Sequence, residues 1–383
     1  KKNIRFEKDY TKRIEILTAL ILSGLVFKEY EENFITGMKE LEKLVKIFYD
    51  SDGFPLSRNP DDLIYFVKYL ILCKECTKDA QRYIPEFLDL TIEKNLSCIK
   101  NILASNNQLP LFNGGKEVDL EDFNKFINQL EYKSKSKKNK VGNICIFSFK
   151  KSKIFFDVGS PPRKDFSKSY QSGPLSFEYY LNGEKIITNC GYGSNISAKA
   201  ELLSRLTSAQ STLTLNDTSV TKFERNRLIN KIFGNSIKNS FKVNDLDVKE
   251  NKENIKFVAS HNGYYKSFGC IHKRSLIFNK IKESLTGYDE IQKKDDGKPT
   301  NYNLRFHLYP GLNAVKTISG NSILIHINKN KSLLFSTNDN SIIIEKSLFL
   351  ARNKILDNTC ITITGNLVND NKTIHWEIKK NIS

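Results

Sequence analysis

Hydrophobic residues recur every three or four positions in the first third of the chain, from Tyr10 to about Tyr132. The repeat is carried first by Ile14, Leu17, Leu20 and Ile21, and then by Phe34, Met38, Leu41 and Leu44. This spacing is typical of helices that bury one face. Asn59-Pro60 predicts a helix start, with Asn as the cap and Pro at the first helical position. Because the turns between segments are short, we expect antiparallel helical hairpins.

From Asn143 onward the hydrophobic period changes to two, which indicates strands. Examples are 144–147, 154–156, 175–179, 211–215, 255–258, 275–278, 304–308, 323–327, 361–363 and 374–378. A short helix is expected at 198–203. A dozen or so short strands with little helical pattern between them favour a large antiparallel β-sandwich. The chain is therefore predicted to be an α+β protein with two domains.

The predicted boundary between the domains is the segment Lys133 to Lys140, which has no apolar residue. We interpret it as a solvated linker, although a basic run of this kind is also able to touch a polyanion. The helical domain is then residues 1–138, and the sandwich is residues 139–383. The apolar run from Ile16 to Phe27 is too short for a membrane span, which needs about 20 residues, and is predicted to be a core helix.

The 383 residues carry 60 Lys and Arg against 43 Asp and Glu, a net charge of +17. This excess favours a polyanionic partner, although the same enrichment is typical of chains encoded by AT-rich genomes. The seven cysteines are scattered, and no second pair follows Cys73 and Cys76, so we expect buried thiols and no metal site. The strand half lacks the interleaved Arg and aromatic residues of a nucleic-acid groove, and no cofactor loop is present.

Ten short strings occur in a characteristic order across the switch from helix to strand. They are DGFPLSRNP (52–60), LPLFNG (109–114), DVGSPP (157–162), GPLSFE (173–178), ITNCG (187–191), RLTSAQSTL (205–213), SHNGY (260–264), FGCIHKRSL (268–276), RFHLYPG (305–311) and HWEI (375–378). Together they resemble the heparinase II/III family of polysaccharide lyases from about residue 10 to the C-terminus. The resemblance implies an incomplete (α/α) toroid followed by a multilayered antiparallel sandwich, with substrate between them and further toroid helices upstream.

This resemblance also implies an activity, the β-elimination of an anionic, uronate-containing glycan. That reaction needs a group that neutralises the substrate carboxylate, a base for the C5 proton and an acid for the leaving oxygen, usually Tyr and His. The alternative is a glycan-binding or cell-envelope protein of the same fold with impaired catalysis, and a third is a structural protein with a basic surface. By resemblance the location is the periplasm or cell envelope, whereas the free cysteines suit a reducing cytoplasm. The oligomeric state is not predicted.

The sequence departs from the family at positions where relatives carry histidine. Gln171, Gln210 and Pro55 stand at such positions, and Asn189 stands where some relatives have Asp in a zinc site. Because neutral amides are poor zinc ligands, we predict a site without metal or other cofactor. Hydrogen bonds between these amides are expected to preserve its shape.

For catalysis we predict Tyr264 and His261, which flank an Asn-Gly turn and are expected to project from one loop tip. A hairpin with an exposed His and a packed Tyr explains the pattern equally well. Arg58 and Asn59 are predicted to bind the substrate carboxylate, although Asn59 is also a good helix cap. Asn113 is a further binding candidate that a turn explains as well.

Three more substrate-binding residues are predicted in the strand half. His272 and Arg274 alternate along one strand and share a face, which we place at the cleft. Arg205 is predicted to pair with Glu178 or with the substrate. His307 is interpreted as a structural histidine, and no role is predicted for His326 or His375.

Overall fold

In the computed structural model, the described residues are 7–132, 137–224, 226, 228, 230, 235–294, 300–339, 341–367 and 371–381. The α-helices in this part of the chain are α1 (Tyr10–Val26), α2 (Glu31–Phe48), α3 (Pro60–Asp79), α4 (Glu86–Ile102), α5 (Glu121–Gln129), α6 (Ala198–Ser204) and α7 (Tyr265–Phe268). Short 3₁₀ turns lie at Lys28–Tyr30, Lys164–Phe166 and Thr207–Ala209.

Helices α1 to α4 form the helical part of the molecule. Helix α1 packs against α2 and α3, and α3 packs against α4. The buried face of α1 carries Ile14, Leu17 and Ile21, the positions that the helical period selects. The predicted start of α3 is confirmed, because Asn59 is its N-cap and Pro60 its first residue. The arrangement of these helices as an incomplete (α/α) toroid stays a prediction.

The strands of the described residues all pair antiparallel and form two sheets. The first sheet has the order β1-β2-β3-β4-β5-β11-β16-β15, with β6 paired to β11, and the second has the order β12-β13-β14-β17-β10-β9-β8-β7. Their bounds are β1 Lys140–Val141, β2 Ile144–Phe149, β3 Ser152–Asp157, β4 Phe177–Leu181, β5 Glu184–Thr188, β6 Leu213–Leu215, β7 Val243–Glu250, β8 Asn254–His261, β9 Cys270–Asn279, β10 Ser284–Lys293, β11 Thr300–Leu308, β12 Asn313–Lys316, β13 Ser322–Asn328, β14 Lys331–Thr337, β15 Ile342–Phe349, β16 Leu356–Leu367 and β17 Lys372–Lys380.

One hydrophobic core lies between the two sheets. At its centre Trp376 of β17 stacks on Phe177 of β4, with ring centroids 5.5 Å apart, and its ring edge meets Phe306 of β11 at 4.8 Å. Both faces therefore contribute aromatic side chains, as in a β-sandwich. Helices followed by antiparallel sheets confirm the predicted α+β class.

A second core joins the helical part to the outer face of the first sheet. Helical residues such as Phe54 and Phe112 share it with Ile144, Ile146 and Phe155 of β2 and β3. The predicted domain boundary falls between α5 and β1, and residues 133–136 of the predicted linker lie outside the described residues.

Other local predictions can be compared with the structure. The short helix at 198–203 is confirmed by α6, and Asn182-Gly183 makes the turn from β4 to β5. Six of the seven cysteines are buried and Cys76 is half-buried, all as free thiols. None of the described helices is long and apolar enough to cross a bilayer.

Candidate functional site

An open cleft of 1110 Å³ lies where the helical part meets the loops of the sandwich. Its helical wall is formed by the start of α1, the end of α2 and the start of α3, and Asn59 and Tyr65 face it. The opposite wall is formed by residues 165–169 before β4 and by Tyr192 and Ser194 after β5. The cleft therefore has the position that the resemblance implies for a substrate site.

The charges that line the cleft nearly balance, despite the net charge of the chain. Among the described residues, the acidic side chains on its wall are Glu7, Asp9, Asp61, Asp62, Asp165 and Glu201. The basic ones are Lys8, Lys12, Arg13, Lys116 and Lys168. Lys168 is paired with Asp9 at 2.9 Å and Arg13 with Glu40 at 3.8 Å. The net charge of the chain is therefore not concentrated on the described residues of the cleft wall.

The first turn of α3 places two carboxylates in the cleft. The Asn59 side-chain oxygen accepts a hydrogen bond from the Asp61 backbone N–H at 3.0 Å, as an N-cap does. The Asn59 amide nitrogen donates to Asp62 Oδ1 at 3.2 Å, and Ser57 Oγ donates to Asp62 Oδ2 at 2.6 Å. Both oxygens of Asp62 are thus occupied, whereas Asp61 accepts, from the described residues, only a long hydrogen bond from the Lys116 backbone N–H at 3.4 Å.

Burial changes the proton affinity of these carboxylates. Loss of solvent raises the pKa of Asp61 to about 7, and the neighbouring charge of Asp62 raises it further. Loss of solvent also raises the pKa of Asp62 to about 6, opposed by the hydrogen bond from Ser57. A carboxyl group with a pKa near neutrality is able to take up and release a proton at physiological pH.

Lys116 and Tyr192 form the wall beside Asp61. Lys116 Nζ donates to Asn195 Oδ1 at 3.0 Å and lies 5.7 Å from the centre of the Tyr192 ring. Burial lowers the pKa of Lys116, an effect that the nearby Asp61 opposes. The Tyr192 hydroxyl donates to Glu201 Oε1 at 2.8 Å, and burial raises the pKa of this phenol.

Of the eight predicted site residues, Asn59 is the one that lines the cleft. Arg58, its neighbour, points the other way and is buried. Its Nη1 donates to Gly159 O at 3.2 Å and to Ser160 O at 3.3 Å, and its Nη2 pairs with Asp157. The prediction that Arg58 faces the substrate is therefore corrected, because its guanidinium fastens the loop before α3 to the sandwich.

His261 and Tyr264 do not project from a loop tip, so that prediction is wrong. Their exposed fractions are 0% and 1%. The Tyr264 hydroxyl lies 3.1 Å from the main-chain oxygens of both Leu213 and Thr218, and its one proton is shared between these two acceptors. The Asn-Gly pair between them connects β8 to α7. Both rings are buried in the sandwich on either side of this connection.

The hydrogen bonds around His261 define its tautomer. The Gly263 backbone N–H donates to His261 Nδ1 at 3.1 Å, so this nitrogen carries no proton. His261 Nε2 then donates to His272 Nδ1 at 3.2 Å, and His272 Nε2 donates to Asp289 Oδ1 at 2.7 Å. Burial lowers the pKa of both imidazoles, which are neutral links in a chain of hydrogen bonds.

His272 and Arg274 share one face of β9, as predicted, but that face points into the sandwich and not into the cleft. Arg274 Nε donates to Asp289 Oδ1 at 2.7 Å, and Arg274 Nη1 donates to Leu175 O at 2.7 Å and Ser211 O at 2.8 Å. The opposite charge of Arg274 keeps the pKa of Asp289 low, at about 2, against the effect of burial.

Arg205 is also buried, and its predicted pairing with Glu178 is wrong. Arg205 Nε donates to Tyr170 O at 2.8 Å and Arg205 Nη2 donates to Ser167 O at 2.9 Å. Glu178 pairs instead with Lys185 at 2.9 Å, on the strand beside it. His307, interpreted as structural, is buried and bonds to Ser347 Oγ at 2.8 Å.

The prediction that Gln171, Gln210 and Asn189 hydrogen-bond to one another is wrong, because their described partners are main-chain atoms. Gln171 Nε2 donates to Gly191 O at 3.1 Å and to Ser204 O at 2.7 Å, and Gln210 Nε2 donates to the same Ser204 oxygen at 2.9 Å. Asn189 Oδ1 accepts from the Ser211 backbone N–H at 2.9 Å. Gln171 and Gln210 thus share one main-chain acceptor, and no group of His, Cys, Asp and Glu suited to a metal occurs in the described part of the chain. A site of the family's shape without metal or other cofactor stays a prediction.

Asn113 lies next to the cleft without lining it. It has a left-handed backbone, with φ of 54°, and its main-chain oxygen accepts a hydrogen bond from Ser169 Oγ at 3.0 Å. The turn interpretation therefore accounts for its position. Gly114, the next residue, reaches the cleft floor, where an added Cβ would lie 2.7 Å from the Asn59 amide nitrogen.

Sequence reasoning missed Asp61, Asp62, Lys116 and Tyr192. Asp61 and Asp62 lie in the first turn of α3, where the helix dipole favours acidic residues, and this is a complete local explanation of their presence. The signal that distinguishes the two aspartates is their position directly after the DGFPLSRNP string, which contains Arg58, the residue that reaches the sandwich. Tyr192 stands between Gly191 and Gly193, a setting that also marks a close approach of chains.

A helical part followed by an antiparallel sandwich, with a cleft where they meet, defines an α+β protein of heparinase-like fold. The chain belongs to the heparinase II/III-like family, since the model of the heparinase II/III-like C-terminal domain matches residues 133–377. No curated protein matches the sequence.

Solved structures agree with this assignment at the level of the fold. The chain is similar to heparan sulfate lyase HepC from Pedobacter heparinus, with a TM-score of 0.75 and 15% identity over 97% of this chain and 60% of that one. It is also similar to a heparinase III, with a TM-score of 0.73 and 16% identity over 98% of this chain and 62% of that one. The chain thus spans about 60% of the length of these proteins.

Proposed function

We propose that this protein binds a uronate-containing polysaccharide in the cleft and cleaves it by β-elimination. The observation that carries the proposal is the position of Asp61 in the cleft between α3 and the sandwich loops, where one oxygen of this desolvated carboxyl group accepts no hydrogen bond from the described residues. The family and the shared fold with proteins described as heparan sulfate and heparin lyases support the choice of substrate class.

The proposed base is Asp61. β-Elimination begins when a base removes the C5 proton of the uronate, and a base works best when its pKa lies near the working pH. The pKa of Asp61, about 7, meets this condition. Asp62 is the poorer base because Ser57 and Asn59 occupy its oxygens.

Two further roles are assigned to cleft residues. Lys116, beside Asp61, neutralises the substrate carboxylate and so makes the C5 proton more acidic. Tyr10 is proposed to donate a proton to the leaving oxygen, because its phenol lies on the cleft wall and an ordinary phenol is protonated at neutral pH. The other two phenols on the wall, Tyr65 and Tyr192, already donate to Glu15 and Glu201.

The experiment is an assay of a panel of uronate glycans that follows the ultraviolet absorbance of the unsaturated product. We expect product from at least one glycan, and Asp61→Asn is expected to lower kcat/KM by about 10²–10⁴-fold, as for loss of a general base. The matched control is Asp122→Asn, an exposed aspartate on α5, which is expected to leave the rate unchanged. Equal loss in both variants would contradict the role of Asp61.

A second function, glycan binding without cleavage, is favoured by one specific observation. Among the described residues that line the cleft there is no histidine, and the side chains of Gln171 and Gln210 are committed to main-chain oxygens. Glycan binding measured by calorimetry, together with no unsaturated product from any glycan in the panel, would support this function over the lyase.

A further inference from the structure

A second pocket, of 250 Å³, shares no lining residue with the cleft. It lies between the C-terminal end of α4, the segment before β1, and the β2–β3 hairpin. The described residues that line it are Lys100, Asn101, Lys137, Lys138, Asn139, Ile146, Ser148 and Lys153. Four of these are lysines and none is acidic, so the pocket is strongly basic.

Lys153 is built into this pocket and is not a loose surface lysine. Its Nζ donates to two main-chain oxygens at the end of α4, Asn101 O at 2.7 Å and Leu103 O at 2.5 Å. The same ammonium lies 5.0 Å from the centre of the Phe155 ring. An ammonium group has three N–H donors, and the third has no acceptor among the described residues.

The pocket holds positive charge that its own lining does not neutralise. Lys138 has a carboxylate partner outside the lining, Asp52 at 2.7 Å. Burial lowers the pKa of Lys153 to about 8, and the charge of Lys137 lowers it further. A bound anion would relieve both the desolvation of Lys153 and its repulsion from Lys137.

We propose that this pocket binds the sulfate group of an acidic glycan. A tetrahedral oxyanion is able to accept the third N–H of Lys153 and donors from Lys137 and Ser148, and the pocket volume admits one such group. Because acidic and basic side chains nearly balance in the cleft, the cleft attracts a sulfate group only weakly. The basic pocket attracts it more strongly. The inference rests on the proposed function for its choice of a glycan, whereas the oxyanion site rests on the lysines alone.

The test is calorimetric titration with three probes: a fully sulfated heparin tetrasaccharide, the same tetrasaccharide without sulfate, and inorganic sulfate. The variants are Lys137→Gln and Lys153→Met, and the matched control is Lys151→Gln, an exposed lysine on the same hairpin but outside the lining. Lys137 is exposed, so its substitution tests the site even if Lys153→Met folds poorly.

We expect the sulfated tetrasaccharide to bind more tightly than the unsulfated one, and each pocket variant to weaken it about tenfold, the loss of one charge-assisted hydrogen bond. Lys151→Gln is expected to change the affinity less than about twofold, because exposed charges are screened. Pocket variants that bind like Lys151→Gln would overturn the proposal. Binding of inorganic sulfate without preference for the sulfated glycan would overturn the assignment of a glycan.

The same variants separate this inference from the proposed lyase activity. Asp61→Asn is expected to leave binding of sulfate to the pocket intact. Lys137→Gln is expected to leave cleavage of unsulfated uronate glycans intact. Failure of the lyase assay with a positive titration would therefore remove the proposed reaction and keep the pocket.

Discussion

The backbone N–H of Gly114 donates a hydrogen bond to the side-chain oxygen of Gln171 across 3.0 Å. This contact joins the loop that follows α4 to the loop that precedes β4. The amide nitrogen of the same glutamine donates to Gly191 O and Ser204 O. One side chain thus connects the helical part to the segment after β5 and to the end of α6.

Replacing this side chain is predicted to destabilise the protein. Gln171→Leu removes three hydrogen bonds and takes this partner from the Gly114 N–H and from Gly191 O, whereas Ser204 O keeps the bond from Gln210. We therefore expect the free energy of unfolding to fall by about 3 kcal/mol. Denaturant unfolding measures this loss. The matched control is Gln129→Leu at the exposed end of α5, which should change stability little, and an equally small effect of Gln171→Leu would contradict the prediction.

The buried ion pair of Arg58 and Asp157 gives a second prediction. Arg58→Met leaves the Asp157 carboxylate buried without its partner, so we expect a loss of about 3–5 kcal/mol. The double variant Arg58→Met/Asp157→Asn removes the uncompensated charge and is expected to recover part of the loss. Lys46→Met, which breaks the exposed pair with Glu42, serves as the control and should have little effect. If the double variant loses as much stability as the two single variants together, the two residues do not interact, and the prediction is contradicted.

The histidine chain predicts two tautomers that nuclear magnetic resonance can read. In ¹⁵N spectra at pH 6, His261 and His272 are expected to be neutral, with the proton on Nε2 in both rings. The reason is that Gly263 N–H occupies His261 Nδ1, while Asp289 accepts from His272 Nε2. Substituting His261 or His272 by Asn one at a time assigns the signals. Doubly protonated rings at pH 6 would contradict this arrangement.

The stability of the protein is predicted to depend on pH through Asp61. Its pKa is about 7 in the folded protein against an ordinary 3.8, so the folded protein keeps a proton that the unfolded chain releases. This contribution to stability is present at low pH and is lost as the pH rises to 7, by up to about 1.4 kcal/mol per pH unit. Asp62 acts in the same direction up to about pH 6.

The buried histidines act in the opposite direction, so Asp61 is best isolated with a variant. An unfolded histidine binds a proton below its ordinary pKa of 6.5, whereas the folded rings of His261 and His272 stay neutral, and stability falls as the pH drops. Relative to the wild type, Asp61→Asn is therefore expected to become steadily more stable between about pH 4 and pH 7. A difference that does not change with pH would contradict the raised pKa of Asp61.

Periodicity predicted the parts of the fold that bury regular apolar faces. The start of α3 and the buried strands around Phe177 and Phe306 follow directly from cap chemistry and alternation. Strand β7, with the sequence VNDLDVKE, was missed because it is an edge strand whose residues are mostly exposed. Its pairing with β8 depends on backbone hydrogen bonds, which leave no hydrophobic pattern in the sequence.

The candidate site was harder to predict than the fold. Residue type identified groups with suitable chemistry, but tertiary packing decides which of them meet solvent. Arg58 and Asn59 are adjacent, yet one faces the sandwich and the other the cleft, because φ of Arg58 is 62° and reverses the chain there. His261 and Tyr264 are similarly placed by the turn after β8, whose direction depends on contacts with Leu213 and Thr218.

The core shared by the helices and the outer face of the first sheet affects how the two domains can be expressed as separate fragments. A fragment that starts at residue 139 would expose Ile144, Ile146 and Phe155 to water, and the helical fragment would expose Phe54 and Phe112. Neither fragment is expected to fold stably when it is expressed alone. Glycan contacts should therefore be mapped with point variants of the intact polypeptide.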